Sequence, residues 1–189
     1  MADLVKPTIE HIEEYARWFV NRRAYTRQSD SPHPESGRHY YYRPRRSDGQ
    51  AIPLSVHDLS RHLMGEITIG LYAINPQTQM SKWMAIDADY KTALEDLLKL
   101  QYELGQAGIQ AALEQSRRGG HLWLFFDEPV LAIHARRFIC HLASRLAVQI
   151  KGVGLVDGIE LFPKQDRLDV GQFGNALRAP LGLHRAANR

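Results

Sequence analysis

Cysteine is almost absent from this chain, with Cys140 the single example in 189 residues. One thiol excludes an internal disulfide, and it excludes a cysteine-rich zinc or iron–sulfur site built within the chain. Long hydrophobic runs are missing too. No apolar stretch approaches the ~20 residues that cross a bilayer, and the start "MADLVKPTIEHIEEYARWF" lacks the apolar core of a signal peptide. The expectation is a cytoplasmic protein with no membrane partner. A large excess of one charge is also lacking: the net charge is +3 and the isoelectric point near 9.1, which permits a nucleic-acid partner without requiring one. No repeats or low-complexity tracts interrupt the sequence. What is present is 44% hydrophobic and 24% charged, a balance that supports a sizeable core.

The pattern along the chain changes near residue 80. Before it, "PTIEHIEEYARWFVNR" spaces Ile9, Ile12, Tyr15 and Phe19 as a helix would, with Pro7 suited to a first turn. Residues 23–53 are polar and rich in Pro and Arg and read as loops, with a short strand around Tyr40 to Tyr42. A helix in "SVHDLSRHLMG" is capped by Ser55 and stopped by Gly65, and a strand follows over 67–74. His57 and His62 have poor spacing for a shared metal and read as structural. From Lys82 onward the order is strand (82–89), helix (90–108, apolar at Leu94, Leu97, Leu98 and Tyr102), strand ("IQAALEQS"), strand ("GHLWLFF"), long helix ("PVLAIHARRFICHLASRLAVQI") and short strand ("DGIELFP"). That order, β-α-β-β-α-β, is the split βαβ or ferredoxin-like unit. The fold class expected is therefore α+β: an RRM-like sheet with helices on one face, preceded by an N-terminal α/β extension. One domain over 1–189 is expected, divided into a subregion 1–80 and a core 81–189.

This topology places the first strand between the third and the fourth. Within "WMAIDADY", Asp87 and Asp89 point to one face, because strand side chains alternate. The end that carries them lies beside the start of the third strand, where His121 stands, and beside Glu160 on the fourth. Leu122, Leu124, Ile159 and Leu161 then face the helices, and four polar groups share the opposite face. Three carboxylates brought together are unfavourable without a cation. Oxygen-only donors select Mg²⁺ or Mn²⁺, and two such ions serve phosphoryl transfer. An isolated D-x-D is more often a hydrated strand end; the convergence with Glu160 and His121 is what favours a site. Arg117, Arg118 and His121 surround the turn "SRRGGH", whose glycines permit close approach of backbone to a ligand. "FPKQDRLDVGQFGNALRAPLGLHR" offers Lys164, Asn175, Arg178 and His184. "RHYYYRPRR", with Arg43, Arg45 and Arg46, interleaves aromatic and basic residues as single-strand binding surfaces do, and a tyrosine-bearing hairpin explains it equally well.

Taken together, "WMAIDADY", "SRRGGHLWLFF", "GIELFPKQD" and "GNALRAPLGLH" resemble the archaeo-eukaryotic primase superfamily, in particular its primase-polymerase branch in bacterial conflict and CRISPR-associated systems. The likeness spans about residues 59–184. It departs from relatives in a shorter glycine turn and at Gly182, where serine is common. The resemblance implies a template-dependent nucleotidyltransferase that makes or extends primers. Asp87, Asp89 and Glu160 would hold the catalytic metals, Mg²⁺ or Mn²⁺. His121, Arg178 and His184 would contact the nucleotide. The implied partners are nucleoside triphosphates, a single-stranded DNA template and its primer, within a larger replication or defence assembly. Two other readings remain at this point: a metal-dependent nuclease, and a non-catalytic single-strand binding module.

Overall fold

The computed structural model describes residues 6–116, 118–152 and 154–183. In chain order the elements are α1 (Ile9–Phe19), β1 (Tyr25–Gln28), β2 (Tyr41–Tyr42), α2 (Val56–Leu63), β3 (Ile69–Tyr72), β4 (Met80–Ala88), α3 (Ala93–Gln106), β5 (Ala112–Gln115), β6 (Gly120–Leu131), α4 (Ala132–Arg145), β7 (Glu160–Phe162) and β8 (Ala176–Arg178). They form two compact units, one of residues 73–175 and one of 1–72 with 176–189. No helix among the described residues is long and apolar enough to cross a membrane.

In the unit of residues 73–175 the sheet order is β5-β6-β4-β7, every neighbour antiparallel. This is the strand order that the β-α-β-β-α-β pattern predicts, with the first strand between the third and fourth. One face packs on α3 and α4 through Met84, Ile86, Leu122, Leu124, Ile159 and Leu161. These are alternate strand positions, so the opposite face receives Trp83, Ala85, Asp87, His121, Trp123 and Glu160. That second face is not open along its length: Trp83, Trp123 and Phe162 are buried, while Asp87 and Glu160 at the acidic end are partly exposed.

Two helices differ from the sequence reading. α3 turns Ala93, Leu97, Leu100 and Leu104 into the core and leaves Leu94, Leu98 and Tyr102 exposed. Both sets have helical spacing, so periodicity does not choose between them; the sheet's packing does. α4 begins at Ala132, because Pro129, Val130 and Leu131 extend β6 instead, where Leu131 pairs with Met80.

The other unit carries a second sheet, β2-β1-β3-β8, again antiparallel. β1 falls in the stretch read as loops, and β8 in the tail; neither YTRQ nor ALR has an apolar alternation to announce it. Helix α2 starts with Ser55 accepting from Asp58 N at 3.1 Å while Asp58 accepts from Ser55 N, a reciprocal cap.

Beneath this sheet His62 is fully buried, its ring nitrogens 3.3 Å from the Ile67 carbonyl and 3.1 Å from that of Pro180. Burial holds the imidazole pKa below its ordinary value, against the pull of the two carbonyls. Gly182 lies directly on this ring: a Cβ there would stand 1.9 Å from His62 Cε1. Glycine at this position is thus matched to the buried histidine, which accounts for the departure from serine. Gly182→Ser is expected to cost about 2–4 kcal/mol through overpacking, read as a lower thermal midpoint that His62→Ala in the same chain partly restores.

Candidate active site

The acidic corner is assembled by register within residues 73–175. Asp87, at the end of β4, stands opposite His121 on β6 and opposite Glu160 on β7. Asp89 follows one residue beyond the strand. Three elements distant in sequence therefore deliver one carboxylate pair, one histidine and a third carboxylate to a single sheet end.

The glycine turn brings β6 to this position in a way the sequence did not disclose. A Cβ on Gly119 would lie 2.0 Å from the Ala88 carbonyl oxygen and 2.9 Å from Ala93 Cβ. The close approach that glycine permits here is between backbones, at the junction of β4, α3 and β6, rather than to a ligand.

Each acidic group has its own partner. His121 is buried, with Nε2 3.5 Å from Asp87 Oδ1 and Nδ1 2.8 Å from Glu114 Oε2. A carboxylate only accepts, so Nδ1 carries the hydrogen of that short contact. The same Glu114 oxygen accepts from Trp123 Nε1 at 3.1 Å. Asp89 receives a two-pronged contact from Arg118, one arm being Nε to Oδ1 at 2.8 Å. Glu160 sits between two ammonium groups, accepting from Lys151 Nζ at 2.7 Å on one oxygen and from Lys164 on the other. Lys164 also lies over the Phe162 ring, 4.9 Å from its centroid.

The electrostatics separate these carboxylates. Burial pushes the Asp87 pKa above the ordinary aspartate value; His121 opposes the rise, while Glu160 and Asp89 add to it. Glu160 would also be raised by burial, but the hydrogen bonds from Lys151 and Lys164 outweigh it and hold its carboxyl below the usual range. Lys151 is raised in turn by its bond to Glu160.

Among the described residues, no three His, Cys, Asp or Glu side chains are grouped ready to hold a metal ion. In donor type the corner nevertheless fits Mg²⁺ or Mn²⁺, because Asp87, Asp89 and Glu160 offer only carboxylate oxygens at one sheet end. Asp87, burdened by two neighbouring carboxylates, is the group a cation would relieve most. Asp89 and Glu160 would have to exchange Arg118 and the lysines for it.

Asn175 accepts from Gln165 Nε2 at 2.5 Å. Arg178 is on β8, and Arg43, Arg45 and Arg46 follow β2; these four belong to the unit of 1–72 with 176–189. Arg45 Nη1 donates to the Gly49 carbonyl at 2.5 Å, and Arg43 and Arg46 are exposed. Arg117 and His184 lie outside the described residues. Two residues at the corner escaped the sequence reading. Lys151, in the loop before β7, carried no signal. Glu114 did, since a strand at "ALEQ" beside "GHLW" sets it opposite His121 on the same face.

Glu114 fixes the ring whose far nitrogen faces the corner. On the nucleotide-joining activity that the sequence resemblance implies, Glu114→Ala is expected to raise the KM for the nucleotide about tenfold, in the range for loss of a supporting carboxylate. Glu114→Gln, whose amide oxygen still accepts from both donors, is expected to stay within a factor of about three. Steady-state extension kinetics separate the two.

A family model described as the archaeo-eukaryotic primase domain of TOTE conflict systems matches residues 15–189. No curated protein matches the chain in sequence. Among solved structures, the chain resembles the polymerase domain from Mycobacterium tuberculosis Ligase D in complex with DNA, at 15% identity and a TM-score of 0.50, over 96% of this chain and 77% of that one. At this identity the likeness is one of fold.

Proposed function

Because the chain belongs to the archaeo-eukaryotic primase domain family of TOTE conflict systems, we propose that its acidic corner joins nucleotides on a nucleic-acid template. The observation that carries this reading is the register of Asp87 between His121 and Glu160 on three neighbouring strands. Nothing in the packing of the helix-side core calls for polar groups there, and Asp87 is held with its charge disfavoured. A charge kept in an unfavourable place is a mark of function.

In the reaction, a primer 3′-hydroxyl oxygen bonds to the α-phosphorus of a nucleoside triphosphate. The bridging bond to the β-phosphate breaks, pyrophosphate departs, and the hydroxyl proton passes to water. Asp87, Asp89 and Glu160 would hold Mg²⁺ or Mn²⁺, two ions in all. Bound there, the ions supply Lewis-acid stabilisation of the attacking and departing oxygens. The chain's own contribution is positioning and charge. His121, anchored through Nδ1 by Glu114, presents Nε2 to the triphosphate, and Arg118, Lys151 and Lys164 supply positive charge to its oxygens. Arg178 and His184 are assigned to the nucleotide on the family pattern, and Arg117 and Asn175 on the charge and donor chemistry of the segments that carry them. The template is single-stranded DNA; the Ligase D domain of similar fold is itself in complex with DNA.

The test is incubation of the chain with a labelled primer on single-stranded DNA template, each nucleotide type, and Mg²⁺ or Mn²⁺. Lengthening that requires triphosphates supports the reading. Shortening of the strand without them assigns the corner to hydrolysis and overturns it.

A further inference from the structure

The hairpin that joins β1 to β2 is built around an aromatic wall. Its base is closed by Ser29 N donating to the Tyr40 carbonyl at 2.8 Å and Tyr40 N donating to Ser29 Oγ at 3.2 Å. His39 Nδ1 adds a contact to the Ser29 carbonyl at 2.8 Å, and His33 N donates to the Arg38 carbonyl at 2.9 Å higher in the loop. On this frame Tyr40 and Tyr42, two residues apart, have ring centroids 6.2 Å apart. The His33 ring stands edge-on to Tyr40 at 6.1 Å.

These rings are not core. Tyr40, just before β2, is 50% exposed, and Tyr42, on β2 at the edge of its sheet, is 39% exposed. A cleft of about 530 Å³ lies between residues 29–34 and the two tyrosines. A second, of about 360 Å³, is lined by His33, Glu35, Ser36, Arg38, His39 and Tyr40, so His33 and Tyr40 line both clefts. Arg38, Arg43, Arg45 and Arg46 are exposed in the same segment. Its only acidic residues are Asp30 and Glu35, and Asp30 is paired with Arg27 at 2.7 Å.

Exposed rings offer stacking, which any nucleobase accepts, and guanidinium groups offer bonds to phosphate. In a duplex the base faces are already stacked on one another, so a surface of this kind selects unpaired strands. The excess of arginine over acidic groups favours a phosphodiester chain over a protein face of mixed charge.

We propose that residues 29–46 form a docking surface for unpaired nucleic acid, on which Tyr40 and Tyr42 stack with bases and Arg38, Arg43 and Arg46 engage phosphates. The proposal rests on the nucleotidyl-transfer reading for its class of partner, and it uses no residue of the acidic corner. Arg45, one of whose N–H groups serves the Gly49 carbonyl, shapes the turn beyond the strand.

The experiment is fluorescence anisotropy of the full chain with two labelled probes of equal length, oligo-dT and the same sugar–phosphate chain lacking bases. Tyr40→Ala with Tyr42→Ala is expected to weaken oligo-dT binding about tenfold or more and to leave the baseless probe unchanged. Tyr40→Phe with Tyr42→Phe, which keeps both rings, is expected to bind as the unaltered chain does. Arg43→Ser with Arg46→Ser should weaken both probes and reduce the salt slope by about 0.7 per arginine. Undiminished oligo-dT binding by the alanine pair, in a chain whose circular dichroism and thermal midpoint are unchanged, overturns the proposal. So does equal loss for both probes, or a loss of self-association with no loss of oligonucleotide. The chain with Asp87→Ala and Asp89→Ala is expected to keep its oligo-dT affinity. That outcome separates failure of the surface from failure of the nucleotidyl-transfer reading.

Discussion

Replacing Asp87 and Asp89 together by alanine is expected to lower nucleotide addition at least ~10³-fold, the scale of several kcal/mol of lost charge stabilisation. The fold should survive, because neither side chain belongs to the helix-side core. Retained extension in a cleanly folded double variant would remove the acidic corner from the chemistry. A single change isolates the electrostatic cost. Burial and two neighbouring carboxylates raise the Asp87 pKa in the folded chain. Folding therefore favours the protonated form, so the contribution is present at low pH and is lost as pH rises through the folded value. Asp87→Asn never carries the charge. It is expected to be inactive yet to melt at a higher temperature than the unaltered chain at pH 7.5, with the gap narrowing on acidification through the carboxylate range. Coincident melting curves at pH 7.5 would show that the charge is not a burden on the fold.

The second large effect is expected at Gly119. Adding one methyl group there sets a carbon 2.0 Å from the Ala88 carbonyl oxygen, and backbone cannot rotate away as a side chain can. β6 would have to part from the end of β4, and the register that faces His121 with Asp87 depends on that junction. Gly119→Ala is expected to cost about 3 kcal/mol or more, lowering the thermal midpoint by roughly 6–12 °C for a chain of this size. Activity should fall further than stability, since a small displacement at a reacting centre costs about 10²-fold. An active, normally stable Gly119→Ala would mean that the turn yields without moving the strand.

The sheet of residues 73–175 was readable because its strands alternate cleanly. Leu122 and Leu124 against His121 and Trp123, or Ile159 and Leu161 against Glu160, leave one choice of buried face. Once the strand order is set, the meeting of Asp87, His121 and Glu160 follows by counting. Helix α3 was ambiguous for the opposite reason. Leucines at 94 and 98 compete with those at 97, 100 and 104, and the fit of Ala93 beneath Gly119 helps decide which set is turned inward. The charge partners of the corner were the least legible. Arg118 and Lys164 stood close to the motifs, but Lys151 reaches Glu160 from a loop nine residues upstream whose path is set by tertiary contacts, including the pairing of Ile150 with Ile159. β1 and β8 were missed because four- and three-residue strands of mixed polarity gain their identity only from the neighbours they pair with.

The pairing of β3 with β8 bears on how the chain is completed during synthesis. Residues 73–175 are contiguous, and every partner in their sheet has been made once β7 has emerged. The sheet that starts first in sequence finishes last: β3 gains its outer neighbour only after residues 176–178 are made, about a hundred residues later. Until then one margin of a growing sheet is left with unpaired amides and carbonyls, a surface prone to wrong pairing. The order of maturation is thus the reverse of the order of translation.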